Sequence, residues 1–271
     1  MSLFVVDPEK CKRGGICIEE CPRLLIEQRA DSPVPTPVAG AESQCTDCGH
    51  CVAVCPQGAI SLATMPSEAC LPVQAALLPS AEQVDHLLRS RRSVRAYKDA
   101  QVPREVFAKL LDTARYAPTG SNRQQVGWLV FYGNAEVRHI ARLTADWIRH
   151  TARSQPKSPV ASYEAPLRAA DALGKDYVCR GAPHLVIAHT PRGRETDGVI
   201  ALAYLELAAY AMGLGACWGG FVTSAAKEWP PLRQFLGLPE SRGCAGAMMI
   251  GYPKYRFRRI PLRNEAQVSW R

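Results

Sequence analysis

The twelve residues CTDCGHCVAVCP, at 45–56, constrain this chain more than any other stretch. Cys45, Cys48, Cys51 and Cys55 are separated by two, two and three residues, and Pro56 closes the run. Thiols packed this densely point to a metal centre rather than to core packing. An earlier stretch, CKRGGICIEECP at 11–22, repeats the pattern: Cys11, Cys17, Cys21 and Pro22 fall in register, but Gly14 stands where a cysteine belongs. Seven of the eleven cysteines lie before residue 56. The opening MSLFVVDPEKC has no basic n-region, so no export is expected, and in a reducing cytoplasm these thiols are metal ligands rather than disulfides.

The complete run has the spacing of the bacterial ferredoxin run, whose fourth cysteine serves the other cluster in two-cluster proteins. Zinc pairs stand as separated C-x2-C knuckles without the C-x3-C-P ending, which disfavours a zinc ribbon. Residues 1–65 therefore resemble a two-cluster ferredoxin domain. Crossed ligation implies one 4Fe–4S cluster on Cys21, Cys45, Cys48 and Cys51. Cys11, Cys17 and Cys55 are left with a vacancy at Gly14, so the second cluster is expected to be 3Fe–4S. The alternative is a 4Fe–4S cluster whose odd iron takes water or a remote group such as Cys70, Asp7 or Glu19. An empty site is the weaker expectation, because all three cysteines remain in register. DSPVPTPVAGAES between the runs is an extended proline-rich loop, and residues 66–80, with three prolines, form a linker.

From residue 81 to 271 the pattern changes. Ser80 and Gln83 make a capping box ahead of an apolar stripe of Val84, Leu87 and Leu88, and Pro103 marks a second helix start. VGWLVFYG, HLVIAHT and CAGAMMIGYP are short buried strands, and AEVRHIARLTADWIR is a helix between the first two. The long apolar stretch GVIALAYLELAAYAMGLGACW carries Glu206 and ends in glycines, which predicts a buried helix over 197–213 and no membrane span. Helices and strands alternate irregularly, so the class is α+β with a mixed sheet.

Three segments carry chemistry. RRSVR (91–95) offers guanidiniums and a hydroxyl of the kind a phosphate needs, although a solvated basic helix end would look the same. APTGSNRQQ (117–125) joins a flexible Gly120 to the amides of Asn122 and Gln124, which both donate and accept, as a heterocycle edge requires. The tail gathers Lys254, Arg256, Arg258, Arg259 and Arg263 with no acid among them. His50, His184 and His189 have no partner at ligand spacing, and Cys179, Cys217 and Cys244 lie in apolar contexts, so these six are structural. Trp218 belongs to the core or stacks on a cofactor.

Taken in order, RRSVR, the AP-T-G-x-N-x-Q loop, GLGACWGGF at 213–221 and the GYP…RR ending resemble the nitroreductase family of flavoproteins over about residues 82–263. The resemblance implies FMN bound at the interface of a homodimer. It assigns Arg91, Arg92, Ser93 and Arg95 to the flavin phosphate and ring edge, with Arg258 or Arg259 closing over the phosphate. It places Pro118, Thr119, Gly120, Asn122 and Gln124 along the flavin, Asn122 facing the isoalloxazine, and the backbone at Gly219 and Gly220 near N5. Gln125-Val126 departs from the usual N-x-Q-P-W ending, which alters the substrate-side wall. The expected activity is FMN-dependent reduction of a small electron-poor acceptor, nitroaromatic or quinone, with electrons exchanged with the iron–sulfur clusters. A non-catalytic electron carrier and a dehydrogenase passing electrons outward to a redox protein are the alternatives.

The chain carries a net charge of +8, much of it in RSRRSVR and KYRFRR. These runs lack the aromatic interleaving of a single-strand groove, apart from Tyr255 and Phe257, so no nucleic acid is expected. The charge suits an acidic redox protein whose docking weakens with salt. GCAGAMMIG lacks the G-x-G-x-x-G spacing, so NAD(P)H as donor would use the flavin pocket itself.

Overall fold

A computed structural model describes residues 2–271, which divide into two compact units. The first ends at Leu78 and takes in residues 121–123; the second comprises 79–120 and 124–271. Its boundary lies beyond the expected one at residue 65. Part of the reason is Ser67, whose N–H donates to Ser61 Oγ at 3.0 Å and whose hydroxyl donates to the Gly58 carbonyl at 2.8 Å. The start of the expected linker is thereby tied to the cysteine-rich unit, while Leu71 and Val73 beyond it are exposed.

In the first unit, strand β1 (Phe4–Val6) pairs antiparallel with β4 (Ile60–Leu62), and β2 (Ile26–Glu27) with β3 (Thr36–Pro37). Three single-turn helices, α1 (Ile16–Glu19), α2 (Ala41–Gln44) and α3 (His50–Ala53), join them. Phe4, Ile26, Val52, Ile60 and Leu62 form the small core, with Cys17, Cys21, Cys51 and Cys55 packed against it.

The second unit is built on a four-stranded sheet in the order β5 (Gly127–Tyr132), β6 (His184–Pro191), β8 (Arg242–Gly251), β7 (Gly215–Trp218). All its pairings are antiparallel. The α+β class therefore holds, but the sheet is not mixed. The crossover from β6 leads to β7, which runs parallel to it, and β8 then inserts between the two, so no parallel neighbours form. One extra residue of β8, Ala245, bulges where the register shifts between Ala188 and His189.

Both faces of the sheet are covered. Leu185, Ile187, Ala247 and Met249 point into one core with α6 (Asn134–Ser154), α7 (Glu164–Ala172), α9 (Gly220–Glu228) and α10 (Pro230–Leu236). Val186, Ala188, Met248 and Ile250 point into the other, with α5 (Arg104–Ala114) and α8 (Glu195–Ala211). Strands buried on two sides show no alternation of polar and apolar residues, which is why they stand out in the sequence as unbroken apolar runs. Helix α4 (Ala81–Ser90) starts at the expected capping box: Gln83 N–H donates to Ser80 Oγ at 3.2 Å, and Ser80 N–H to Gln83 Oε1 at 2.8 Å.

His184 is structural, as expected. Its Nε2 accepts the Val102 N–H at 2.9 Å, and its ring lies 4.9 Å from Phe107 and 4.6 Å from Tyr132. Complete burial pushes its pKa down to about 4 from an ordinary 6.5. Between those two values the unfolded chain binds a proton that the native state refuses. The resulting stability is present above about pH 6.5 and is lost as the pH falls toward about 4, by at most about 3 kcal/mol. Urea unfolding compared at pH 7 and pH 4.5 is expected to show a larger loss in the wild type than in His184→Asn. Equal losses would exclude His184 as the cause.

Candidate functional site

The two cysteine runs fold as copies of one another, each position in the first matching the position 34 later in the second. Left-handed residues recur in step: Arg13 (φ 56°) with Asp47 (φ 53°), Gly15 (φ 73°) with Gly49 (φ 72°), and Leu24 (φ 54°) with Gly58 (φ 57°). Gly14 occupies the position of Cys48, so the loop keeps its shape where the ligand is missing. A Cβ built on Gly14 meets nothing within 4 Å.

The cysteines separate into the two crossed sets. Cys21, Cys45, Cys48 and Cys51 line one apolar cavity with Phe4, Leu25 and Leu62. Burial pushes the Cys51 thiol up to about 11, and the neighbouring thiols of Cys48, Cys21 and Cys45 add to the effect. Cys17 is raised in the same way, by burial first and then by its neighbours Cys55 and Cys11. Backbone N–H groups of Leu25, Asp47 and Ala59 donate to the sulfurs of Cys21, Cys45 and Cys55 at 3.4, 3.4 and 3.3 Å. Thiols spread around a cavity, with amides aimed at sulfur, fit an iron–sulfur cluster better than one zinc ion. Of the remote groups named for the vacancy at Gly14, two make local bonds in the structure. The Asp7 carboxylate accepts the N–H groups of Glu9 and Lys10, and the Cys70 thiol lies 3.5 Å from the Pro66 carbonyl.

In the second unit the arginine segment runs beside β7, held at alternate points. The Tyr210 hydroxyl donates to Ser90 Oγ at 2.9 Å, Arg91 Nη1 pairs with Glu206 Oε1 at 2.8 Å, and Val94 N–H donates to the Ala216 carbonyl at 2.9 Å. Val94 packs against Gly215, where an added Cβ would lie 2.7 Å from Val94 Cγ2. Between these anchors Arg92, Ser93 and Arg95 line a cleft of about 260 Å³, closed on its other side by Tyr255 and Phe257. The tail is brought there by Lys254 N–H, which donates to the Ala96 carbonyl at 3.0 Å. Arg258 and Arg259 follow, exposed.

The glycine turn is a closed circuit. Gly219 N–H donates to the Ala247 carbonyl at 2.8 Å, Ala247 N–H to Thr223 Oγ1 at 3.0 Å, and the Thr223 hydroxyl to the Gly219 carbonyl at 3.1 Å. Of the two glycines, only Gly220 therefore offers an amide with no backbone partner, as the first residue of a helix must. Its Cβ direction is open, with nothing within 4 Å.

The loop at 117–125 is more engaged than expected. Gly120 N–H donates to Asp197 Oδ1 and Gln124 N–H to Thr119 Oγ1, both at 3.0 Å. Pro118 precedes them in a bend without regular structure. Asn122 does not present its amide hydrogens to a ring: Nδ2 donates to the Asp47 and Thr46 carbonyls at 2.8 and 3.2 Å.

The model of the nitroreductase family matches residues 88–252, more than half of the chain, and a 4Fe–4S dicluster domain matches residues 9–60. The chain belongs to the nitroreductase family. It is an FMN-dependent oxidoreductase preceded by a dicluster ferredoxin domain. Among relatives, it is 39% identical over 87 residues to a 4-nitrobenzoate reductase of a Nocardioides species, a match spanning 32% of this chain and a third (33%) of that one. Two FMN-bound nitroreductase structures share the fold. That from Bacteroides fragilis has a TM-score of 0.53 at 23% identity, covering 69% of this chain and 95% of the other. That from Desulfitobacterium hafniense has 0.56 at 18%, covering 71% and 99%.

In this nitroreductase the structure adds residues that the sequence left unremarked. The Asp176 carboxylate accepts N–H groups from Val178, Cys179 and Gly181 at 2.9, 2.8 and 3.1 Å. That loop presents Arg180, itself left-handed (φ 60°), with its guanidinium 4.5 Å from the centre of the Tyr177 ring. Arg180, Arg95 and the Ser93 hydroxyl all lie near the buried Cys217 thiol. Burial raises that thiol while the three groups draw it back down. Asp followed closely by Gly before an apolar strand was the signal for this loop. Trp218 is partly buried against the core and donates Nε1–H to Glu206 Oε2 at 3.1 Å.

Proposed function

We propose that this flavoenzyme exchanges electrons between two iron–sulfur clusters and FMN to reduce a small electron-poor acceptor of nitroaromatic or quinone type. The observation that carries the reading is the sorting of seven cysteines of the first unit into two crossed sets, in a chain whose second unit carries a cationic, aromatic-walled cleft. Cys21, Cys45, Cys48 and Cys51 hold a 4Fe–4S cluster; Cys11, Cys17 and Cys55 hold a 3Fe–4S cluster, a reading supported by the glycine that stands at the fourth ligand position of their run. When bound, FMN supplies interconversion of one-electron and two-electron chemistry. Arg92, Ser93 and Arg95, with Arg258 or Arg259 from the tail, bind its phosphate and ring edge, Gly220 offers its amide to the ring, and Thr119, Gly120 and Gln124 shape the loop beside it. No side chain of the cleft is needed as acid or base. The name of the Nocardioides relative favours a nitroaromatic acceptor. NAD(P)H or an acidic redox protein is the donor, the chain works as a homodimer, and the cytoplasm is its compartment; no described helix is long and apolar enough to cross a membrane.

Two variants test this reading. Loss of one charge-assisted phosphate bond is worth about 1.5–3 kcal/mol, so Arg92→Ala is expected to weaken FMN binding about 10- to 100-fold, read by flavin fluorescence. Unchanged affinity removes Arg92 from the site. Anaerobically isolated protein is expected to contain about seven irons per chain and to show the near-isotropic paramagnetic resonance signal of an oxidised 3Fe–4S centre. Gly14→Cys, whose new Cβ meets no obstacle, is expected to abolish the signal and raise the iron content to about eight. About four irons and no signal in wild-type protein would mean an empty second site.

A further inference from the structure

Glu206 is the only acidic side chain in the buried core among the described residues. It sits in α8 between Leu202, Leu205 and Ala209, which are fully buried, and a charge placed there must be matched. Both its oxygens are engaged, and by residues far apart in sequence: Oε1 by Arg91 at 2.8 Å and Oε2 by the Trp218 indole N–H at 3.1 Å. Arg91 opens the arginine segment, and Trp218 immediately precedes the glycine turn. One carboxylate thus ties together the two stretches that face the flavin.

We propose that Glu206 is a positioning residue of the flavin cradle, which rests on the flavin assignment above. Its bond to Arg91 turns that guanidinium inward, so that the next residues, Arg92 and Ser93, are directed into the cleft. Its bond to Trp218 fixes the last residue of β7, and with it the direction in which Gly220 points its amide. Tyr210 acts one helical turn later on the same helix, holding Ser90. Helix α8 is therefore a template against which two loops are set in register, and Glu206 is the group common to both. Arg91 contributes to flavin binding mainly through this tie.

The test uses the full-length protein and the variants Glu206→Leu, Glu206→Gln and Arg91→Met/Glu206→Leu. Three quantities are read: FMN affinity, the thermal midpoint, and the fluorine resonance of Trp218 in 5-fluorotryptophan-labelled apoprotein, assigned with Trp218→Phe. Glu206→Leu is expected to weaken FMN at least tenfold and to move the Trp218 resonance. Glu206→Gln, which keeps an acceptor but not the charge, is expected to fall between it and the wild type. The double variant removes both buried charges. It is expected to recover the thermal midpoint while FMN binding stays weak, whereas recovery of both would show a purely structural ion pair and overturn the proposal. FMN affinity within twofold of wild type in Glu206→Leu, with an unmoved Trp218 resonance, overturns it as well. Wild-type protein that takes up no FMN refutes the flavin assignment itself. Tight FMN in the wild type with unchanged affinity in every variant refutes only the role of Glu206.

Discussion

The second unit depends on a sheet that has no wet face. Leu185, Val186, Ile187 and Ala188 of β6 are all completely buried, two toward each side, and Ala247 and Met248 of β8 continue the pattern. Burial of an aliphatic side chain contributes about 1.5–3 kcal/mol, so these two strands and their covering helices dominate the stability of the unit. The same dryness dictates how polar groups inside are handled, because an unpaired charge or donor there is costly. Glu206 meets that demand with two partners and Thr223 by closing the circuit at Gly219; His184 meets it in part, staying neutral and accepting from Val102 while its Nδ1 has no partner. Functional loops emerge at the ends of these strands, where the rigid sheet fixes their starting points.

The cysteine-rich unit stands at the other extreme. Its core cluster holds five buried side chains, too few to order a domain of this length by apolar burial alone. Cysteines packed against that core take up the remaining role, since ligand bonds formed only in the folded state are folding free energy. Raised thiol pKa values point the same way: without iron the buried Cys51 stays protonated and contributes nothing beyond its packing. The two runs have the same backbone although one lacks a ligand, and this argues that the first loop is shaped by three remaining sulfurs rather than by four.

Much of this was legible in the sequence where the determinants are local. Cysteine spacing, the Ser80–Gln83 box, Pro103 and the unbroken apolar runs each depend on residues a few positions apart. The crossed cysteine sets followed from the motif, and the cleft formed by RRSVR and the tail from the order of the segments. What stayed hidden depends on distant pairs. Arg91 meets Glu206 across 115 positions, and no periodicity could announce that one arginine of the three in RRSVR turns inward. The wholly antiparallel sheet escaped for a related reason: strands buried on both faces carry no alternation from which pairing direction could be argued. Asn122 had the right chemistry for a heterocycle, but an amide has no means of declaring in sequence which carbonyls will claim it.

Backbone strain marks the same places from an independent direction. Among the described residues seven non-glycine residues have positive φ: Arg13, Leu24, Asp47, Ser121, Asn122, Gln124 and Arg180. Every one lies in a cysteine loop, in the 117–125 loop, or beside the arginine cleft, and none lies in an α-helix or a strand. A left-handed residue costs roughly 1–2 kcal/mol, less for Asn and Asp, so such conformations survive only where contacts over-determine them. Those contacts are visible: Asp47 N–H on the Cys45 sulfur, Gln124 N–H on Thr119, and the Asp176 carboxylate beneath Arg180. In the 117–125 loop and beside the arginine cleft the free energy for holding these conformations comes from the protein's own contacts, whereas in the cysteine loops the ligand bonds add to it.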